Sequence, residues 1–298
     1  AIRGGTWLLE EPIVFSPEDS APPGRRTIYA AWPGEAPVFS GGYPLRGFIE
    51  ASDGTWTLRV PEQVGRDVEH LYVNGRRAVR ARHPNVGDAF RLAKVEETPP
   101  TTNRVRRGVS TLRLFFDPAE LAPLASLSSA ALSRVQVVVH HKWDHTRRWV
   151  QGLDAAAGAI ITTGQPMKSW NPIEKGCLAY FENVLTACDS PGEWAIEPNG
   201  LLRYRPKPGE ALATSRVWAA RTTTLLRFAG DPLAGRWVER IRLEGLHLTH
   251  ADYRTPPGGF EPMQAAGNIE AAVMADGARE IELIGLTLMH TGAHAIWL

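Results

Sequence analysis

Cysteine is scarce in this chain: Cys177 and Cys188 are the only two among 298 residues. Two thiols make no disulfide framework, and no metal-ligand spacing surrounds either one. Both read as free, buried, small hydrophobic side chains. Long apolar runs are missing as well, since none approaches the roughly 18 residues a membrane span requires. Neither sign of charge dominates: 33 Lys and Arg face 32 Asp and Glu, for a formal net charge of +1. That balance gives no global reason to expect nucleic acid or an anionic membrane as partner. One stretch is locally basic, with Arg76, Arg77, Arg80 and Arg82, followed by Arg104, Arg106 and Arg107; a solvated strand face is its plain reading. Helical periodicity is rare, and its best candidates, residues 118–127 and 180–188, are short and weakly amphipathic. No Gly-rich phosphate loop, nucleophile elbow or kinase signature occurs. The chain opens at Ala1 without an initiator Met and stops at Leu298 inside an apolar run, so both ends read as cut.

What is plentiful is punctuation. The 28 glycines and 23 prolines separate short apolar segments such as 56–60, 111–116, 134–139 and 159–162. Segments of strand length at close spacing predict an all-β architecture. Asn74-Gly75, between 70–73 and 76–79, is a type I′ hairpin signal. Pro198-Asn199-Gly200 separates 193–197 from 201–205 in the same manner.

A repeat lies near the C-terminal end. Ile241-Arg242-Leu243-Glu244-Gly245-Leu246-His247-Leu248-Thr249-His250 returns forty residues later as Ile281-Glu282-Leu283-Ile284-Gly285-Leu286-Thr287-Leu288-Met289-His290. Residues 271–275 return as 294–298, 23 residues later. A period in the low twenties without a long helix suits one coil of a parallel β-helix, the longer offset being one coil with an insertion at 251–270. The Asn or Cys ladder of leucine-rich repeats is absent.

Several blocks resemble one family. They are Arg3-Gly4-Gly5-Thr6-Trp7 with Pro17-Glu18-Asp19-Ser20, the run from Trp32-Pro33-Gly34 to Gly41-Gly42, and Leu71-Tyr72-Val73-Asn74-Gly75-Arg76-Arg77 continuing to Arg82. Tyr180-Phe181-Glu182-Asn183, the segment from Asp189 to Trp194, that from Tyr204 to Glu210, and Gly245-Leu246-His247-Leu248-Thr249-His250-Ala251-Asp252-Tyr253 complete the set. The chain resembles bacterial right-handed parallel β-helix proteins similar to glycoside hydrolase families 141 and 120. The resemblance implies a right-handed parallel β-helix begun by residues 1–45, interrupted at 46–222 by an antiparallel β-sandwich-like domain, and resumed at 223–298. It also implies an exported protein, secreted or periplasmic, acting on glycans, with its catalytic carboxylate pair on coils beyond Leu298.

Hydrolysis of a glycosidic bond needs two carboxyl groups facing one cleft, roughly 5 Å apart for retention and about 6.5–9.5 Å for inversion. Asp252, following a repeat strand, is the best single carboxylate, and its other reading is a turn cap. Glu261 reads as solvated. His250 and His290 share one repeat position, with His294 close by, and could bind sugar hydroxyls or simply mark a coil's corner. No zinc-ligand spacing accompanies them, and no metal or other cofactor is expected. Trp143, in His140-His141-Lys142-Trp143-Asp144-His145, could stack on a sugar or plug two domains together, and Trp170 is a weaker candidate of the same kind. The leading expectation is a glycoside hydrolase acting on xylosidic or fucosidic linkages of cell-wall glycans. A polysaccharide lyase is the second reading, although no carboxylate cluster for Ca²⁺ is visible. A non-catalytic carbohydrate-binding or adhesive solenoid is the third.

Overall fold

The computed structural model describes residues 1–98, 108–265, 267 and 269–298; Arg104, Arg106 and Arg107 fall outside this set. The fold is all-β, with 44% of residues in strands and 6% in helices.

Three sheets of three or four strands consist wholly of parallel pairs. One orders Gly5–Leu8, Pro37–Ser40, His247–Ala251 and Thr287–Thr291. A second orders Ile13–Phe15, Leu226–Ala229, Ala271–Asp276 and His294–Trp297. The third holds Thr27–Ala30, Ile241–Glu244 and Glu282–Ile284. Their registers reproduce both sequence offsets, for Leu243 lies opposite Leu283, Leu248 opposite Leu288 and Val273 opposite Ile296. Corners repeat too: positive φ occurs at Arg240 and Glu280, at Gly245 and Gly285, and at His250 and His290. The left-handed conformation turns the chain between sheets, and glycine takes it without steric cost. Phe15, Phe228, Leu243, Leu246, Leu248 and Val273 form the common core. Leu283, Leu286 and Leu288 pack against it but are only half-buried. Strands Glu282–Ile284 and Thr287–Thr291 are the last of their sheets, so their side chains have neighbours on one side alone.

The chain leaves these sheets at Gly41 and returns at Thr222. The two points touch, since both Arg221 and Thr222 donate backbone N–H bonds to the Gly41 carbonyl. A Cβ on Gly41 would lie 2.5 Å from Leu225 Cδ2 and 2.9 Å from the His250 carbonyl oxygen, which fixes glycine there. Between these points lie an eight-stranded antiparallel sheet, a five-stranded sheet and the antiparallel four-stranded sheet into which Gly42–Leu45 runs. They enclose two further cores, one around Leu112, Leu114, Val137, Val139 and Phe181, the other around Trp56, Trp194, Leu71 and Tyr204.

The Asn74-Gly75 hairpin forms with both residues at positive φ, 50° and 74°, as a type I′ turn requires. At Pro198-Asn199-Gly200 only Gly200 is left-handed; Gly200 N–H bonds to the Glu197 carbonyl, and the residues after it pair back on strand Glu193–Ile196. Residues 118–127 supply a short 3₁₀ turn and one α-turn, but 180–188 is not helical as the sequence suggested. Leu178–Glu182 is a strand paired with Gln136–His140, its burial alternating through Phe181, and only Leu185–Ala187 coils. Cys177 and Cys188 are unpaired and half-buried rather than buried.

Candidate functional site

A cleft of about 750 Å³ opens where the inserted sheets meet the parallel ones. Segment 69–82 supplies one wall, the eight-stranded sheet a second, and the loop after His247–Ala251 a third, with Gly292 and Ala293 behind. That loop is fastened in place. Phe260 and Arg147 exchange backbone hydrogen bonds, and Trp149 donates its indole N–H to the Pro256 carbonyl at 2.9 Å. Beneath it Glu261 pairs with Arg148 at 2.6 Å, both side chains buried. This corrects the solvated reading of Glu261: an Arg deep in the sheet needs a counter-charge, and the loop carries one to it.

Trp143 is 50% exposed at the cleft mouth, while its turn is tightly held. Asp144 accepts hydrogen bonds from Lys168 and Asn171, both at 2.9 Å. His141 lies between the Asn171 carbonyl at 3.1 Å and the Thr146 hydroxyl at 2.8 Å. The carbonyl can only accept, so Nδ1 carries the proton and Nε2 accepts from Thr146. Burial holds the His141 pKa below the usual histidine value, against the pull of Asp144. A large ring presented on a rigid turn loses little conformational freedom on binding. Trp170 is similarly exposed but borders a separate hollow with Met167 and Met263.

Asp252 is 3% exposed and is not among the residues that line the cleft. One carboxylate oxygen lies 2.9 Å from His70 Nδ1 and the other 3.0 Å from Arg254 Nε. It holds His70, which does line the cleft. Nearby, Glu69 accepts from the backbone and hydroxyl of Thr255, at 2.7 and 2.9 Å, and faces Arg80 at 3.6 Å. Glu182 accepts from Arg147 at 2.6 Å. Burial would raise its pKa, but the charges of Arg147 and Arg80 outweigh that and keep it ionised. Tyr253 carries a buried hydroxyl without a hydrogen-bond partner among the described residues, and burial with the nearby Glu69 raises its pKa to about 12.

His250 and His290 do not line the cleft. They stack on each other at 5.0 Å, and Trp218 stacks on His250 at 5.1 Å. Ser40 hydroxyl accepts from Gly42 N–H and shares a hydrogen bond with His250 Nδ1 at 2.9 Å. His290 donates from Nε2 to the Gly75 carbonyl at 2.9 Å and accepts at Nδ1 from Thr249 at 3.0 Å. Tyr72 caps both rings. Burial and the neighbouring His290 lower the His250 pKa to about 4. The pair is a ladder tying the parallel sheets to the inserted hairpin. Among the described residues no group of three His, Cys, Asp or Glu side chains converges as metal ligands would.

Sequence reasoning thus reached Trp143 and Asp252 but missed His70, Glu69, Glu182 and Tyr253. His70 and Asp252 are 182 residues apart, and neither sits in a motif that names the other. Tyr253 had a signal, since it directly follows Asp252, just past the end of the repeat strand His247–Ala251.

No family model matches the chain, and no curated protein matches it. Among solved structures, one described as a glycoside hydrolase superposes with a TM-score of 0.82 at 22% identity, over 99% of this chain and 55% of that one. The chain therefore spans about half the length of that structure. A complex of XylC with xylose gives a TM-score of 0.30 at 11% identity, which is no likeness of fold. Among the described residues no helix is long and apolar enough to cross a membrane. This chain shares the all-β fold of that structure, which is described as a glycoside hydrolase.

Proposed function

We propose that the chain is part of an exported glycoside hydrolase built on a right-handed parallel β-helix. Residues 1–45 and 223–298 are its coils, and 46–222 is an antiparallel, sandwich-like insert. Glycan lies in the cleft with one sugar face on Trp143. The observation that carries this reading is the half-exposed Trp143 ring, held on a rigid turn at the mouth of a 750 Å³ cleft rich in polar groups. Sugar sites pair such an apolar platform with a few fixed donors and acceptors. The parallel registers at offsets of 40 and 23 residues support the β-helix, and the superposition on a glycoside hydrolase supports the class.

Glu69, Asp144, Glu182 and Asp252 each already hold a cation or a histidine. In this reading they position the binding groups, and the reacting carboxyl pair comes from other coils of the whole protein. Xylosidic or fucosidic bonds of cell-wall glycans are the proposed substrate. The whole protein should release the aryl alcohol from aryl xylosides or fucosides, and the 298-residue chain should not. Comparable turnover by the shorter chain, abolished by Asp252→Ala, would place the chemistry inside this cleft instead.

A further inference from the structure

The cleft carries more positive charge than its own carboxylates balance. Of its four arginines, Arg80 faces Glu69 at 3.6 Å and Arg147 holds Glu182 at 2.6 Å. The remaining lining carboxylate, Asp144, is taken by Lys168 at 2.9 Å. Arg77 and Arg82 remain, and among the described residues neither forms an ion pair. Both are nevertheless fixed. Arg77 donates to the Thr291 carbonyl at 2.6 Å and lies over Tyr72. Arg82 donates to the Pro84 carbonyl at 3.0 Å and lies 3.7 Å from the centre of the Tyr180 ring. Carbonyls and ring faces orient a guanidinium without cancelling its charge. Arg80 adds an independent sign. It is 8% exposed, it lines the same cleft, and its Nε and Nη1 have no hydrogen-bond partner. Its nearest carboxylate, Glu69, also accepts two hydrogen bonds from Thr255, so the buried Arg80 charge is only partly offset.

We infer that the cleft recognises a glycan bearing an acidic sugar, whose anionic group sits against Arg77 and Arg82 while a neighbouring sugar stacks on Trp143. This rests on the reading of the cleft as the glycan site. A carboxylate or a sulfate ester matches the fork of a guanidinium, and either brings the counter-charge that Arg77 and Arg82 lack. Two fixed, unneutralised arginines make the attraction electrostatic, so it weakens as salt rises.

The test is titration calorimetry of the full chain with three oligosaccharides of equal length: neutral, uronate-substituted and sulfated. At low ionic strength one acidic ligand should bind roughly tenfold tighter than the neutral one, the scale of a charged hydrogen bond. The ratio should shrink in 0.5 M salt and collapse in the Arg77→Gln/Arg82→Gln variant. Arg82→Lys, which keeps charge but loses the fork, should fall between. Preference for the uronate or for the sulfated ligand identifies the anion. Equal affinity for neutral and acidic ligands overturns the inference and leaves the glycan cleft standing. So does a preference that survives in the double variant. Binding of none of the three overturns both.

Discussion

Two side chains separate binding from folding at the scale of single residues. Trp143 is half exposed and its turn is held by backbone and polar bonds that do not involve its ring. Trp143→Ala should therefore change stability by less than about 0.5 kcal/mol. It should weaken glycan affinity roughly tenfold, about 1.4 kcal/mol. Thermal melting and a binding titration on the same sample check both halves. His250 makes the opposite case, since it lies outside the cleft within an aromatic stack. Its pKa is lowered to about 4, so the folded protein refuses a proton that the unfolded chain accepts. The stability it contributes is complete above the unfolded histidine value, near 6.5, and drains as pH falls toward 4, at no more than about 1.4 kcal/mol per pH unit. Other buried groups titrate in the same direction, so the difference between wild type and His250→Gln is the useful quantity. That difference should shrink steadily between pH 7 and 4 in urea denaturation. A difference independent of pH would contradict the buried, neutral ring.

The loop after His247–Ala251 is the element that closes the cleft, and the buried pair of Glu261 and Arg148 is the ionic part of its hold on the sheet. Glu261→Ala leaves that guanidinium buried without a counter-charge, so roughly 3–5 kcal/mol of stability should be lost. A loss below 1 kcal/mol in chemical denaturation would mean the loop is not anchored there. Elements differ in how far the sequence announces them. The parallel strands were legible because paired strands repeat their inward positions, and the offset between copies is the pairing register itself. The Asn74-Gly75 turn was legible because only such residues take two successive left-handed conformations cheaply. Strand Leu178–Glu182 was hidden, because Tyr180 to Cys188 is apolar at spacings that suit a short helix as well, and its pairing with Gln136–His140 decided the outcome. Glu261 was misread for a similar reason. Its partner lies 113 residues away, and a lone Glu among Pro and Gly looks solvated.

At the scale of the whole molecule the site exists only through contacts between distant segments. The joint at Gly41 and Thr222, the histidine ladder and the strapped loop bring the inserted sheets against the parallel ones. Sequence could nominate Trp143 and Asp252 singly. It could not show that one lines the cleft while the other stands behind His70, because pairing between strands distant in the sequence places them together. The central claim is that glycan occupies this cleft. Hydrogen–deuterium exchange of the full chain, with and without a saturating xylo- or fuco-oligosaccharide, tests it most directly. Slower exchange should appear in peptides covering residues 69–82, 141–147 and 252–265, with the outer parallel strands unchanged. Measured binding without protection in those three segments, or with protection confined to other surfaces, would contradict it.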